Sequence, residues 1–68
     1  MELYQGHTMK GKELRAIRDK LDWTQVQMAT ALEVTPNTVA RWERDERTIT
    51  NAMAKFIETI YANERKKR

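Results

Sequence analysis

The chain is short, has no cysteine and has a small positive charge. Its 68 residues include 13 Lys and Arg against 10 Asp and Glu, a formal charge of +3. A chain of this length buries only about 60% of its unfolded surface, which allows one small domain and excludes two. The lack of cysteine excludes a disulfide-stapled module, a zinc finger and a thiol nucleophile. We expect a cytoplasmic protein without a cofactor or a metal.

Helices are the expected building material. No apolar run reaches the roughly 18 residues of a membrane span, so no membrane partner is expected. With two glycines and one proline, a glycine-rich phosphate loop and a turn-rich all-β architecture are disfavoured. Residues 1–8 show no sustained period and are expected to be a flexible leader. The domain is expected at 9–62, followed by a basic C-terminal tail at 63–68.

The first two helices are predicted from apolar spacing and from capping residues. Residues 10–21 have apolar side chains three and four positions apart, the spacing of one helical face. These side chains are Leu14, Ile17 and Leu21. Thr24 can cap a second helix with Gln27 as its capping-box partner, and Trp23 can pack on Met28 as a hydrophobic staple.

A proline divides the second helix from the third. Pro36 lacks an amide donor and biases Thr35 away from helical angles, so the second helix ends soon after Leu32. Thr35 then caps a third helix with Pro36 at its first position. Val39 and Trp42 lie three positions apart on the predicted inward face of this helix.

The charged run at 43–48 has no apolar stripe and predicts the end of the third helix and a connection. A fourth helix is predicted to start near Thr50 or Asn51 and to fray in residues 63–68. Its apolar residues are Met53, Phe56, Ile57, Ile60 and Tyr61. These elements predict a compact all-α bundle of four to five helices.

The joint between the second and third helices has a specific pattern. Counted from Gln25, large apolar residues occupy the fourth, eighth, tenth, fifteenth and eighteenth places, and the small Ala29 occupies the fifth. The matching pairs are Thr24-Gln25, Met28-Ala29, Val34-Thr35 and Trp42-Glu43. On these residues, the segment 10–60 resembles the helix-turn-helix of the phage-repressor and Cro-like proteins, the XRE family. The resemblance implies a lambda-repressor-like DNA-binding domain.

Two positions depart from the family pattern, which has glycine at both. Glu33 occupies the turn, where a left-handed conformation costs a non-glycine residue on the order of 1 kcal/mol if the geometry is kept. A variant turn is the other possibility. Asp45 follows the third helix and tolerates left-handed angles better than most residues.

The resemblance implies which residues contact double-stranded DNA. The base-reading positions are Pro36, Asn37, Thr38 and Arg41. Asn37 can bond adenine, Arg41 can bond guanine or a phosphate, and Pro36 can offer only apolar contact. The phosphate-binding positions are Thr24, Gln25, Arg44, Arg47 and Thr48. Arg18 and Glu43 match a structural ion pair of the family. The alternative for Asn37, Thr38 and Arg41 is that they are merely solvated polar residues.

The expected function is therefore sequence-specific binding of DNA by a transcriptional regulator of repressor type. A homodimer is expected to form through the fourth helix, where Phe56, Ile60 and Tyr61 exceed what so small a core can bury. The alternative is a helix-turn-helix module that binds a protein partner, as in an antitoxin or a phage regulatory component. The location of charge distinguishes these hypotheses. An enzyme is not expected, because no nucleophile, base and orienting group converge in the sequence.

Overall fold

The computed structural model describes residues 9–66. In this range the chain forms four α-helices and no strand, which confirms the all-α class. The helices are α1 (Gly11–Lys20), α2 (Gln25–Leu32), α3 (Pro36–Glu43) and α4 (Asn51–Lys66). Residues 63–66, which the sequence assigns to the basic tail, are helical and belong to α4. The expected leader and residues 67–68 of the expected tail lie outside the described residues.

Side-chain caps fix the starts of α2 and α3. Thr24 Oγ1 accepts the Gln27 N–H at 3.1 Å, and the Thr24 N–H donates to Gln27 Oε1 at 2.7 Å, which completes a capping box. Thr35 Oγ1 accepts the Thr38 N–H at 3.1 Å, and Pro36 occupies the first turn of α3. The helix starts predicted from these residues are confirmed.

Eleven buried side chains from the helices and their flanking segments form one core. They are Met9, Leu14, Leu21, Met28, Ala29, Leu32, Val39, Trp42, Ile49, Ala54 and Ile57. Met9 and Ile49 were not predicted, because both lie outside the helices and belong to no helical period. Ile49 is only 1% exposed and anchors the connection just before Thr50, whose Oγ1 accepts the Met53 N–H at 3.1 Å.

The inward face of α4 differs from the apolar stripe read from the sequence. Its buried residues are Ala54 and Ile57, while Phe56 is 40% exposed. Ile60 and Tyr61 are half-buried against the core. Of the three residues expected to exceed the core, only Phe56 is therefore largely left outside it.

Left-handed residues close the ends of α2 and α3. Glu33 has φ 61° and ψ 40°, and the N–H of Val34 bonds the carbonyl of Ala29 at 3.0 Å. The turn thus keeps the left-handed geometry despite the glutamate, and no variant turn is needed. Asp45 also has φ 61°, in agreement with its predicted tolerance, and Asp22 adopts the same φ without having been predicted to.

The start of α1 packs on the end of α3. A Cβ on Gly11 would lie 2.6 Å from the carbonyl oxygen of Glu43 and closer still to that of Trp42. The Gly11 N–H donates to Asp45 Oδ1 at 3.0 Å. This contact, which the sequence did not reveal, fixes α1 against the residues that follow α3.

Candidate nucleic-acid interface

The interface is built on the joint between α2 and α3. Ala29 is 1% exposed at the position where the two helices approach closely. Met28 and Val39 are fully buried and hold the two helices together. Because Val39 and Trp42 face the core, the start of α3 and the residues one turn further on its opposite face lie at the surface.

The four base-reading candidates lie on this exposed face of α3. Pro36, Asn37 and Arg41 are exposed, and Thr38 is half-buried. The hydroxyls of Thr38 and Thr35 lie 2.9 Å apart, so Thr38 takes part in the cap of the helix. Asn37 and Arg41 make no side-chain hydrogen bond or ion pair within residues 9–66. Their polar groups are therefore available to an external partner.

The phosphate-binding candidates lie in two places. Thr24 and Gln25 lie at the start of α2, where Gln25 Nε2 donates to Glu43 Oε1 at 3.1 Å. The other three follow α3 and are exposed. Arg44 pairs with Glu46 through Nε at 2.8 Å, whereas Arg47 and Thr48 lie in the connection to α4. The bond between Gln25 and Glu43 brings the start of α2 to the end of α3.

A bidentate ion pair joins α1 to α3. Arg18 Nε donates to Glu43 Oε2 at 2.7 Å, and Arg18 Nη2 donates to Glu43 Oε1 at 3.1 Å. Arg18 Nη1 also donates to the carbonyl of Trp23 at 2.9 Å. The two side chains are only 13% and 6% exposed, so the pair is largely shielded from water. The structure thus brings together the two residues named from the family resemblance.

The ion pair determines the protonation of Glu43. Burial raises the pKa of Glu43, but hydrogen bonds from Arg18 and Gln25 and the charges of Arg18 and Arg15 outweigh burial, so the pKa lies below its ordinary value. The hydrogen bond to Glu43 is the main reason that the pKa of Arg18 lies above its ordinary value. Both groups are therefore charged at neutral pH, and Glu43 is an acceptor for Gln25.

Sequence reasoning missed the role of Asp45 and the proximity of Lys10 to the connection after α3. The sequence predicts that Asp45 tolerates a left-handed conformation but not that its carboxylate accepts the Gly11 N–H. Lys10 lines a concavity with Asp45, Arg47 and Thr48. No pattern signals these contacts, because they join segments more than thirty positions apart in the chain.

Neither a cluster of metal ligands nor a membrane-spanning helix is present in the part of the chain that the structure describes. In residues 9–66 no group of three or more His, Cys, Asp or Glu residues is arranged to hold a metal ion. None of the helices in this part of the chain is long and apolar enough to cross a membrane.

The capped α2, the left-handed turn at Glu33 and the exposed start of α3 together form a helix-turn-helix. A family model described as helix-turn-helix matches residues 14–62, and the chain belongs to this family, in its XRE-type branch. The protein is thus a DNA-binding helix-turn-helix regulator, of a kind that is typically not enzymatic. A search of the curated proteins found no match.

Proposed function

We propose that the protein regulates transcription by binding a specific DNA sequence with α3 in the major groove, in the manner of a repressor. The main support is the pair Asn37 and Arg41, which lie four residues apart on the exposed face of α3 without internal partners. Residues at this spacing project from one face of a helix. Asn can bond N6 and N7 of adenine, and Arg can bond O6 and N7 of guanine. Pro36 and Thr38 lie beside them and add apolar and hydroxyl contacts.

Phosphate contacts would set the register of α3 in the groove. Thr24 and Gln25 lie at the start of α2, where the first backbone N–H groups have no partner within the helix. Arg44, Arg47 and Thr48 follow α3 and are exposed. In this proposal the two groups contact phosphates and supply affinity that does not depend on sequence.

The charge carried by α3 favours DNA over a protein partner. Three arginines, Arg41, Arg44 and Arg47, lie on α3 or just after it. Of the acidic residues nearby, Glu46 pairs with Arg44, whereas Asp45 and Glu33 keep their negative charges. Within α3 itself, Glu43 pairs with Arg18, so Arg41 is the exposed charge of the helix, as a DNA-binding face requires.

A homodimer through α4 would place two α3 helices on neighbouring half-sites. Phe56 is 40% exposed on α4, and Ile60 and Tyr61 lie half-buried on the same helix. Dimers of such domains bind half-sites about 34 Å apart. Sedimentation equilibrium of the wild type and of Phe56→Ser tests this. A dimer that dissociates in the variant is expected, and a wild type that remains monomeric at high concentration would exclude this dimer.

The test of the proposed function is selection from a random duplex library, followed by titration of the enriched duplex against scrambled DNA. We expect a shared motif bound at least about a thousandfold more tightly than scrambled duplex. Asn37→Ala and Arg41→Ala should each cost about 1 to 3 kcal/mol of binding and relax preference at one base pair. Lys20→Ala and Asn51→Ala, at exposed positions outside the proposed DNA contacts and the proposed dimer face, are matched controls and should bind normally.

A protein-binding role is the second candidate, and one observation favours it. Val26 is 59% exposed on α2, beside Trp23 and Ala31 in a shallow concavity. An exposed apolar residue that adjoins two further apolar residues in this way suits a protein partner. DNA binding that ignores sequence and disappears as salt rises would favour this candidate over the first.

A further inference from the structure

A concave surface lies between the start of α1 and the connection that follows α3. It is lined by Met9, Lys10, Asp45, Arg47, Thr48 and Ile49. Two of these side chains are cationic, one is acidic and one is a hydroxyl. Met9 and Lys10 precede α1, whereas the other four residues follow α3. No sequence pattern links the two groups.

The cationic residues are attached to rigid backbone. Lys10 follows Met9, which is 5% exposed, and Arg47 lies two residues before Ile49, which is 1% exposed. The bond from the Gly11 N–H to Asp45 Oδ1 joins the two segments at 3.0 Å. Because buried neighbours already fix the backbone, binding an anion here costs less ordering than it would on a flexible tail.

The charge of the surface suits an anion. Lys10 and Arg47 are exposed, and neither has an ion pair within the described residues. Asp45 supplies the only negative charge among the lining residues, and its Oδ1 already accepts a hydrogen bond. The backbone N–H of Lys10 donates to Glu13 at 2.7 Å and that of Gly11 to Asp45, so the lysine and arginine side chains supply the attraction.

The position relative to α3 identifies the anion as a phosphate of the DNA that α3 reads. The concavity begins two residues after the end of α3. A helix of eight residues is about 12 Å long, which is about the width of the major groove. When the first residues of such a helix enter the groove, residues just after its last turn therefore lie near the phosphates that border the groove.

We infer that Lys10, together with Arg47 and Thr48, forms a phosphate clamp on the operator, with Lys10 as a positioning residue that belongs to neither helix of the helix-turn-helix. This inference rests on the proposed function. The clamp holds α1 as well as the connection after α3 to the backbone of the DNA. It contributes affinity and orientation and reads no base.

The test compares Lys10→Gln with Lys20→Gln. Lys20 is exposed at the opposite end of α1 and does not line the concavity, so it is matched in charge and helix. The dissociation constant is measured on the selected duplex and on scrambled duplex at several salt concentrations. For Lys10→Gln we expect weaker binding to both duplexes, an unchanged motif and a salt slope reduced by about 0.9, the value for one lost phosphate contact. Lys20→Gln should behave as the wild type.

A second variant removes a negative charge from the same surface, so the opposite effect on DNA binding is expected. Asp45→Asn removes the negative charge but keeps an oxygen that can accept the Gly11 N–H and a residue that tolerates left-handed angles. It should bind DNA several-fold more tightly than the wild type. Thermal unfolding of each variant verifies that the fold is retained.

The outcomes separate the clamp from the proposed function. If Lys10→Gln and Lys20→Gln have the same salt slope, or if Asp45→Asn does not strengthen binding, the clamp is wrong even where a motif is selected. If no motif is selected, operator recognition is wrong, and the slopes on scrambled duplex still decide whether Lys10 contacts a phosphate.

Discussion

The side-chain amide of Gln25 is bonded to Glu43, which links a proposed phosphate contact to the ion pair of the core. Gln25 Nε2 lies 3.1 Å from Glu43 Oε1, and the same oxygen accepts Arg18 Nη2 at 3.1 Å. The bond turns the amide nitrogen of Gln25 toward Glu43 and leaves its amide oxygen away from the carboxylate. Loss of the ion pair should therefore disturb both the stability of the domain and the start of α2.

Removing Arg18 should destabilise the domain strongly. Arg18→Met leaves the carboxylate of Glu43, whose side chain is 6% exposed, without its cation. An uncompensated buried charge of this kind costs roughly 3 kcal/mol, so the urea midpoint should fall sharply. Arg44→Met is the matched control, since it breaks the exposed pair with Glu46 and should change the midpoint little. Equal effects of the two variants would contradict a structural role for the inner pair.

Stability should fall in acid because of Glu43. Its pKa is lower in the folded protein than in the unfolded chain, so the folded state binds fewer protons. The ion pair makes its full contribution to the free energy of unfolding above the ordinary Glu pKa, about 4.3. This contribution is lost as the pH falls through the pKa that Glu43 has in the folded protein. The urea midpoints of the wild type and Glu43→Gln should therefore converge below about pH 4.3. An NMR titration of the Glu43 carboxyl in the wild type measures the pKa directly, and a value at or above 4.3 would refute the argument.

Gly11 should not tolerate a larger residue. Helix propensity alone predicts that Gly11→Ala stabilises α1 by about 1 kcal/mol. The new Cβ, however, would lie 2.6 Å from the carbonyl oxygen of Glu43, so α1 and α3 must separate. Overpacking of this kind costs about 1 to 3 kcal/mol, and we expect a lower thermal midpoint. A raised midpoint would show that propensity outweighs packing at this position.

The sequence was informative where local rules decide the structure. Capping residues such as Thr24 and Thr35 and the proline at 36 set the helix starts, because their effects act within one turn. The burial of Met9 and Ile49 was not predictable, because each is a single apolar residue outside any periodic stripe.

Contacts between distant segments also escaped prediction. The bond between Gly11 and Asp45 spans 34 positions and depends on the docking of α1 on α3. The ion pair of Arg18 with Glu43 was named only because the family resemblance supplied it. The family resemblance named the residues proposed to contact DNA. Their exposure and their hydrogen-bond partners within the domain could be determined only from the structure.

The turn at Glu33 should gain stability from the glycine that the family pattern has there. Glu33 holds φ 61° and ψ 40°, a conformation that glycine adopts without the Cβ penalty. Glu33→Gly should therefore raise the free energy of unfolding by about 1 kcal/mol. Asp45→Gly is the informative contrast, since it relieves the same φ but loses the bond to the Gly11 N–H and should gain less. Urea unfolding of both variants measures the difference, and equal gains would mean that the Asp45 bond contributes nothing.

Glu46 should weaken the binding of DNA by occupying Arg44. Arg44 Nε and Nη2 donate to the carboxylate of Glu46 at 2.8 Å and 3.3 Å, and the hydrogen bond from Arg44 is the main cause that lowers the pKa of Glu46. A phosphate must displace this carboxylate before Arg44 can bind it. Glu46→Gln should therefore tighten binding to the selected duplex and to scrambled duplex alike, by roughly two- to fivefold, because exposed pairs of this kind are weak. The gain should shrink as salt rises, since both competitors are screened. Asp22→Asn is the matched control for the loss of one negative charge, because Asp22 is exposed and Asn tolerates its left-handed φ. If the two variants gain equally, the effect comes from net charge and not from the release of Arg44.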